Sequence, residues 1–160
     1  MPGAARRQAR IAAPMPIETK AAGKEWDPVS FEVEGERIAQ YADAVGEQGE
    51  VYRDPEAAKA AGFRGQVAPP MFAVVYSAPA MGPAILDPEV GINFPLMVHG
   101  GQEFEWGEPV VAGDTITTRA SCAQIYEQDG KGFYVFETVS TNQDGDEVVR
   151  AKWTNIVRGV

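Results

Sequence analysis

The residues from Val67 to Ala84 are apolar or small almost throughout, yet four prolines (Pro69, Pro70, Pro79 and Pro83) interrupt them. So apolar a segment must be buried. A membrane-spanning helix needs roughly 18 or more uninterrupted apolar residues, and proline removes a helical hydrogen bond each time it occurs. The stretch from Pro70 to Met81 is therefore read as a helix buried on most sides within the domain, with Pro79 bending or ending it. Whatever else the chain does, the rest of it has to cover this helix.

The cover is legible downstream. Val29 to Val33 alternates apolar and polar residues, and from Phe94 onward the period is again two, the mark of a strand with one buried face. Phe104 and Trp106 share one face while Glu103 and Glu105 share the other. Pro109 to Asp114 reads as a turn. Strands follow over Thr115 to Ile125, Gly132 to Asn142 and Glu147 to Val157, joined at Gln128-Asp129-Gly130-Lys131 and Asp144-Gly145. Upstream, Ile38, Tyr41, Ala42 and Val45 recur at helical spacing between Glu34 and Gly46. Asp54 and Pro55 open a second short helix that Gly62 closes. The order predicts an α+β domain in which an antiparallel meander covers one apolar helix.

The formal charge is −9, but residues 1–24 carry Arg6, Arg7, Arg10, Lys20 and Lys24 against Glu18, a net of +4, leaving −13 on the remainder. An acidic body repels phosphate backbones and argues against nucleic-acid binding. The basic, Ala-, Pro- and Gly-rich residues 1–24 are expected to be a disordered extension, with residues 25–160 as the domain. The tail lacks the apolar core of a secretory signal, so a cytoplasmic protein with no membrane segment is expected. The single cysteine, Cys122, excludes an internal disulfide and falls at a strand position. With one His beside it, no zinc site is expected, and no metal.

Several residue runs resemble one family. Glu108-Pro109-Val110-Val111-Ala112-Gly113-Asp114 is similar to the P-x-x-x-G-D turn of MaoC-like dehydratases, where it follows a strand ending in an aromatic residue, here Phe104 or Trp106. Ala58 to Phe72 resembles the A-x-x-x-G-F stretch leading into that fold's central helix. Ala68-Pro69-Pro70-Met71-Phe72 matches the N-terminal, FAS1-like branch, which includes the acyl-chain-binding dehydratase subunits of mycolic acid synthesis. The resemblance runs from about Phe31 to Val157 and implies a hot-dog fold.

Active members of that family carry G-D-x-N-P-x-H, whose Asp and His hold a water that adds across an enoyl thioester. Here the corresponding residues are Gly46-Glu47-Gln48-Gly49-Glu50-Val51-Tyr52, with Glu47 at the Asp position and Tyr52 at the His position. A tyrosine hydroxyl ordinarily titrates at about pH 10 and is a poor base. The longer Glu arm displaces its carboxylate by about an angstrom, enough to cost on the order of a hundredfold. The usual dyad is absent. Glu47, Tyr52 and the only histidine, His99, in an H-G-x-Q stretch that FAS1-like relatives share, are the catalytic candidates. Arg64 and Gly65, beside the loop where relatives admit the pantetheine arm, and Pro70, Met71, Phe72 and Tyr76 on the buried helix are the candidate substrate-binding residues.

The resemblance implies no bound cofactor, but a coenzyme A or acyl carrier protein thioester as ligand, and a homodimer or a heterodimer with a catalytic hot-dog subunit. Three functions fit. The chain is a non-catalytic subunit that binds the acyl chain while a partner supplies the Asp–His pair, or a self-sufficient hydro-lyase using Glu47 or His99, or a binding module without chemistry. The first agrees best with the missing dyad.

Overall fold

The computed structural model describes residue 17 and residues 19–159. Five antiparallel strands form one sheet: β1 (Val29–Glu32), β2 (Met97–Trp106), β3 (Thr115–Gln128), β4 (Lys131–Thr141) and β5 (Glu147–Arg158), in the spatial order β1-β3-β4-β5-β2. Asp129 and Gly130 both take positive φ, as a two-residue hairpin turn requires. At the next hairpin Asn142 Oδ1 accepts the N–H groups of Asp144 and Asp146, and Gly145 supplies the left-handed residue. Both turns stand where the sequence puts them.

One face of this sheet is apolar because the strands alternate. Ile116, Ala120 and Cys122 on β3, Tyr134 and Phe136 on β4, and Val149, Ala151, Trp153 and Val157 on β5 are buried. Several buried polar groups on these strands pair with one another. The Thr118 and Ser140 hydroxyls lie 2.8 Å apart, and Trp153 Nε1 donates to Thr138 Oγ1 at 3.0 Å. Burial without such partners would cost about 1–3 kcal/mol per group.

The proline-studded segment lies across that face. It is not one regular helix but a chain of short ones. A 3₁₀ turn (Pro70–Phe72) leads into α3 (Ala73–Ser77), a second 3₁₀ turn (Ala78–Ala80) and α4 (Met81–Ile85). Pro79 cannot donate to the preceding turn, which accounts for the 3₁₀ interruption there. Ala80, Met81 and Ala84 pack on Cys122, Phe136 and Trp153 in one core cluster. Phe72, Ala73 and Tyr76 pack with Val33, Ile38, Ile116 and Val149 in a second. Helices α1 (Gly35–Val45) and α2 (Pro55–Ala60) precede the segment. Gly46 at φ +79° ends α1, and Asp54 Oδ1 caps α2 by accepting the Glu56 N–H. This is the α+β hot-dog arrangement that the family resemblance implies.

The domain begins earlier than residue 25. Residues 1–16 and 18 of the expected extension lie outside the described residues. From residue 19 onward, however, the chain runs along β3. The Gly23 N–H donates to the Cys122 carbonyl, Cys122 donates to Lys24, Trp26 donates to Ala120, and Ala21 is buried. Lys24 Nζ reaches Asp87 Oδ2 at 2.8 Å, and Trp26 Nε1 donates to the same oxygen. Lys24, with help from the Glu89 N–H and Trp26, holds the Asp87 carboxyl down at about 2. This strap fastens the start of the fold to the far end of the buried segment.

The P-x-x-x-G-D turn is built around Asp114. Only 2% exposed, it accepts four hydrogen bonds: from Arg64 at 3.1 and 3.0 Å, from the Val111 N–H at 2.9 Å and from Gln143 at 3.2 Å. Burial works to raise its carboxyl, but Arg64, the Val111 N–H and Gln143 together hold it below the ordinary value. Asp114→Ala is expected to cost about 3 kcal/mol, a fall in Tm on the order of 10 °C by calorimetry. Because the folded carboxyl is depressed, its contribution is complete above about pH 4–5 and fades as the pH falls through the lower folded value. The stability difference between wild type and Asp114→Asn should therefore shrink toward acid pH; a difference constant with pH would refute the assignment.

Candidate functional site

Where the buried segment begins, the chain leaves an opening. Gln66 Nε2 donates to the Gly35 and Tyr52 carbonyls at 2.8 Å each, so the loop carrying Tyr52 is tied to the start of α1. A side chain at Gly35 would collide with Gln66, which explains a glycine there. The Val67 N–H donates to Val51, Ala68 donates to Val110 and Ala112 donates to Gln66. Two loops and the turn after β2 are thereby laced into a wall.

Inside that wall is a cavity of about 230 Å³. Val51, Tyr52 and Phe63 form one side, Val67 to Pro70 the rim of the buried segment, Tyr76 and Val148 further walls, and Trp106 to Val110 the opposite side. The lining is apolar and aromatic apart from Glu108. At Gly107 the backbone passes so close to the Glu147 carbonyl that an added Cβ would lie 2.0 Å from it. The cavity is smaller than the roughly 300–1,000 Å³ of a drug-sized ligand site, so its room suits a small apolar fragment.

The structure brings together some of the residues picked from sequence and separates others. Tyr52, Pro70 and Tyr76 line the cavity, and burial pushes the Tyr76 hydroxyl well above its ordinary value. Gly65 stands behind the wall, where an added Cβ would contact Val111. Phe72, 1% exposed, is the centre of an aromatic cluster with Phe31, Tyr41 and Tyr76 and is absent from the lining. Met71 is 48% exposed and also outside it. Arg64 is committed to Asp114 and to the Pro109 carbonyl, which places it in the wall's framework.

The catalytic candidates do not converge. Glu47 is exposed and outside the lining; its carbonyl accepts from Arg53, which also grips Asp43 and the Gly49 carbonyl. His99 lies early in β2 with its ring edge-on to Trp153, 6.2 Å away. Counting residues along β2, it is about 20 Å from Trp106 at the cavity. Backbone donors are scarce as well. Pro69 and Pro70 carry no N–H, and that of Phe72 is spent on the Pro69 carbonyl. This helix start therefore offers few free N–H groups to a ligand oxygen.

Sequence reasoning missed Trp106 and Glu108 as site residues. Trp106, expected from its strand position to be a core or interface residue, is half exposed at the cavity and stacked 4.9 Å from Phe104. Its place immediately before the P-x-x-x-G-D turn was the available signal. Among the described residues no group of three or more His, Cys, Asp or Glu side chains is arranged to hold a metal, and no helix is long and apolar enough to cross a membrane.

Comparison with known proteins agrees with this geometry. The family described as "FAS1-like, dehydratase domain region" matches residues 20–151. A "UPF0336 protein" of Saccharopolyspora erythraea is 37% identical over 146 residues, covering 91% of this chain and 94% of its own. The HadBC complex of Mycobacterium tuberculosis, a (3R)-hydroxyacyl-ACP dehydratase, superposes with a TM-score of 0.75 at 27% identity, over 88% of this chain and 99% of that one. A MaoC-like dehydratase matches with a TM-score of 0.79 at 20% identity, over 88% of this chain but 43% of its own, a likeness of fold. With a helix-filled antiparallel sheet, the P-x-x-x-G-D clasp around Asp114 and a match over residues 20–151, this chain belongs to the FAS1-like dehydratase family of MaoC-like hot-dog proteins.

Proposed function

We propose that this chain is the acyl-thioester-binding, non-catalytic subunit of an R-specific enoyl-thioester hydratase/dehydratase, and that a partner hot-dog subunit supplies the Asp–His pair. One observation carries the reading. The cavity at the start of the buried segment is shaped for an apolar group, yet Tyr52 stands in it where a histidine would be needed, and neither Glu47 nor His99 reaches it. A self-sufficient hydro-lyase would need an acid and a base within hydrogen-bond reach of one reacting position, and these side chains do not converge on one.

The place for the partner is the free edge of β2. The strand is ten residues long, its outer side is unpaired among the described residues, and Val98 and Trp106 on it, with Phe94 and Leu96 just before it, are 43–55% exposed. A long, apolar, unpaired edge is normally covered in the working protein. Gln102 on this strand holds the one buried side-chain polar atom without a partner among the described residues, its Nε2. The HadBC complex, itself an assembly of hot-dog subunits, supports the same reading.

Purified alone, the chain is expected to hydrate crotonyl-CoA no faster than buffer. Mixed with a hot-dog subunit carrying an intact G-D-x-N-P-x-H, it should raise that subunit's activity. Ordinary enzymatic turnover by the chain alone would end the proposal. In the assembled enzyme, Val51→Trp, which fills the cavity, should raise KM about tenfold or more, whereas Glu47→Gln should change kcat by less than about twofold.

The edge has its own check. Gln102→Leu removes an unsatisfied buried amide and should stabilise the isolated chain by about 1 kcal/mol. Val98→Lys, which places a charge on the exposed edge strand, should weaken partner binding at least about tenfold. Unchanged affinity by titration calorimetry would place the partner elsewhere.

A further inference from the structure

The charges around the cavity restrict what can enter it. Its lining includes one ionisable carboxylate, Glu108, and no Lys, Arg or His. The nearest cation in the wall is Arg64, and it is neutralised. Both terminal nitrogens bond to Asp114, one of them also to the Pro109 carbonyl, and Asp144 and Glu108 add to the negative field around it. Arg53, behind the Tyr52 loop, is likewise held by Asp43 and by the Glu47 and Gly49 carbonyls. An anion bringing its charge to this opening would lose water and meet a carboxylate in return.

We infer that the cavity accepts the neutral acyl-thioester part of its ligand and rejects anions, free fatty acids included. The inference rests on the acyl-thioester reading above and names the substrate form that the site selects. Glu108 is the residue that sets the selection, because it is the charged group at the lining and its removal leaves the apolar walls intact.

The test uses the full chain and three ligands in titration calorimetry: hexanoate, the neutral phosphate-free thioester S-hexanoyl-N-acetylcysteamine, and hexanoyl-CoA. The neutral thioester should bind at least about tenfold more tightly than hexanoate, a modest estimate for a charge placed near a carboxylate in a partly dry site. Hexanoyl-CoA should bind the chain alone no more tightly than the neutral thioester. Glu108→Gln should raise hexanoate affinity about tenfold and leave the neutral thioester within about twofold. If hexanoate binds wild type as tightly as the thioester, or if the CoA ester gains more than about tenfold on the chain alone, the anion-exclusion inference is overturned while the acyl-thioester reading stands. If none of the three binds, both are overturned.

Discussion

The structure depends on burying one awkward segment. From Ala68 to Ala84 the chain is too apolar to face water, and its prolines prevent it from satisfying its own backbone as a single regular helix. The sheet solves both problems. Its alternating strands offer Ile116, Phe136, Ala151 and Trp153 as an apolar bed, and the segment lies on it as short helical pieces that turn at Pro79. Burial of several large side chains, at roughly 1.5–3 kcal/mol each, is what allows so irregular a helix to persist. The N-terminal strap through Lys24 and Trp26 and the clasp around Asp114 secure its two ends.

That arrangement also creates the site. Because Pro69 and Pro70 have no N–H, the adjoining loops are held by the Gln66 side chain, by the Val67 and Ala68 N–H groups just before the prolines, and by the turn that Asp114 organises. The cavity is the space left between these elements. Its apolar walls and single carboxylate follow from which loops meet there. The same frame absorbs Arg64, an exposed-looking cation in the sequence, into structural work. The result is a receptacle for an uncharged apolar group with no paired acid and base, which accords with a division of tasks between unlike subunits.

Most of the architecture was legible beforehand. The strand periods, the Asp129-Gly130 turn, the Gly46 stop and the Asp54 cap depend on residues close together in the chain, and local stereochemistry decides them. The boundary at residue 25 was less legible, since Ala21 and Gly23 are small residues whose role appears only when β3 is beside them. The site was half legible. Of the candidates, Tyr52, Pro70 and Tyr76 fall on the cavity, whereas Phe72 lies in the core. A fraction of a turn on a short helix separates a wall residue from a core residue, and the 3₁₀ turn at Pro70–Phe72 alters that rotation.

What the sequence alone determined is the set of elements and the loss of the Asp–His pair, because hydrophobic period, turn chemistry and residue identity are local properties. What only the tertiary structure decided is which side chains share a space. Arg64 and Asp114 are fifty positions apart, and Tyr52 and Trp106 more than that, so nothing in their neighbours reveals that the first two form a clasp or that the last two line one cavity. Long-range packing fixes those distances, and with them whether a charge is free to meet a ligand or already spent.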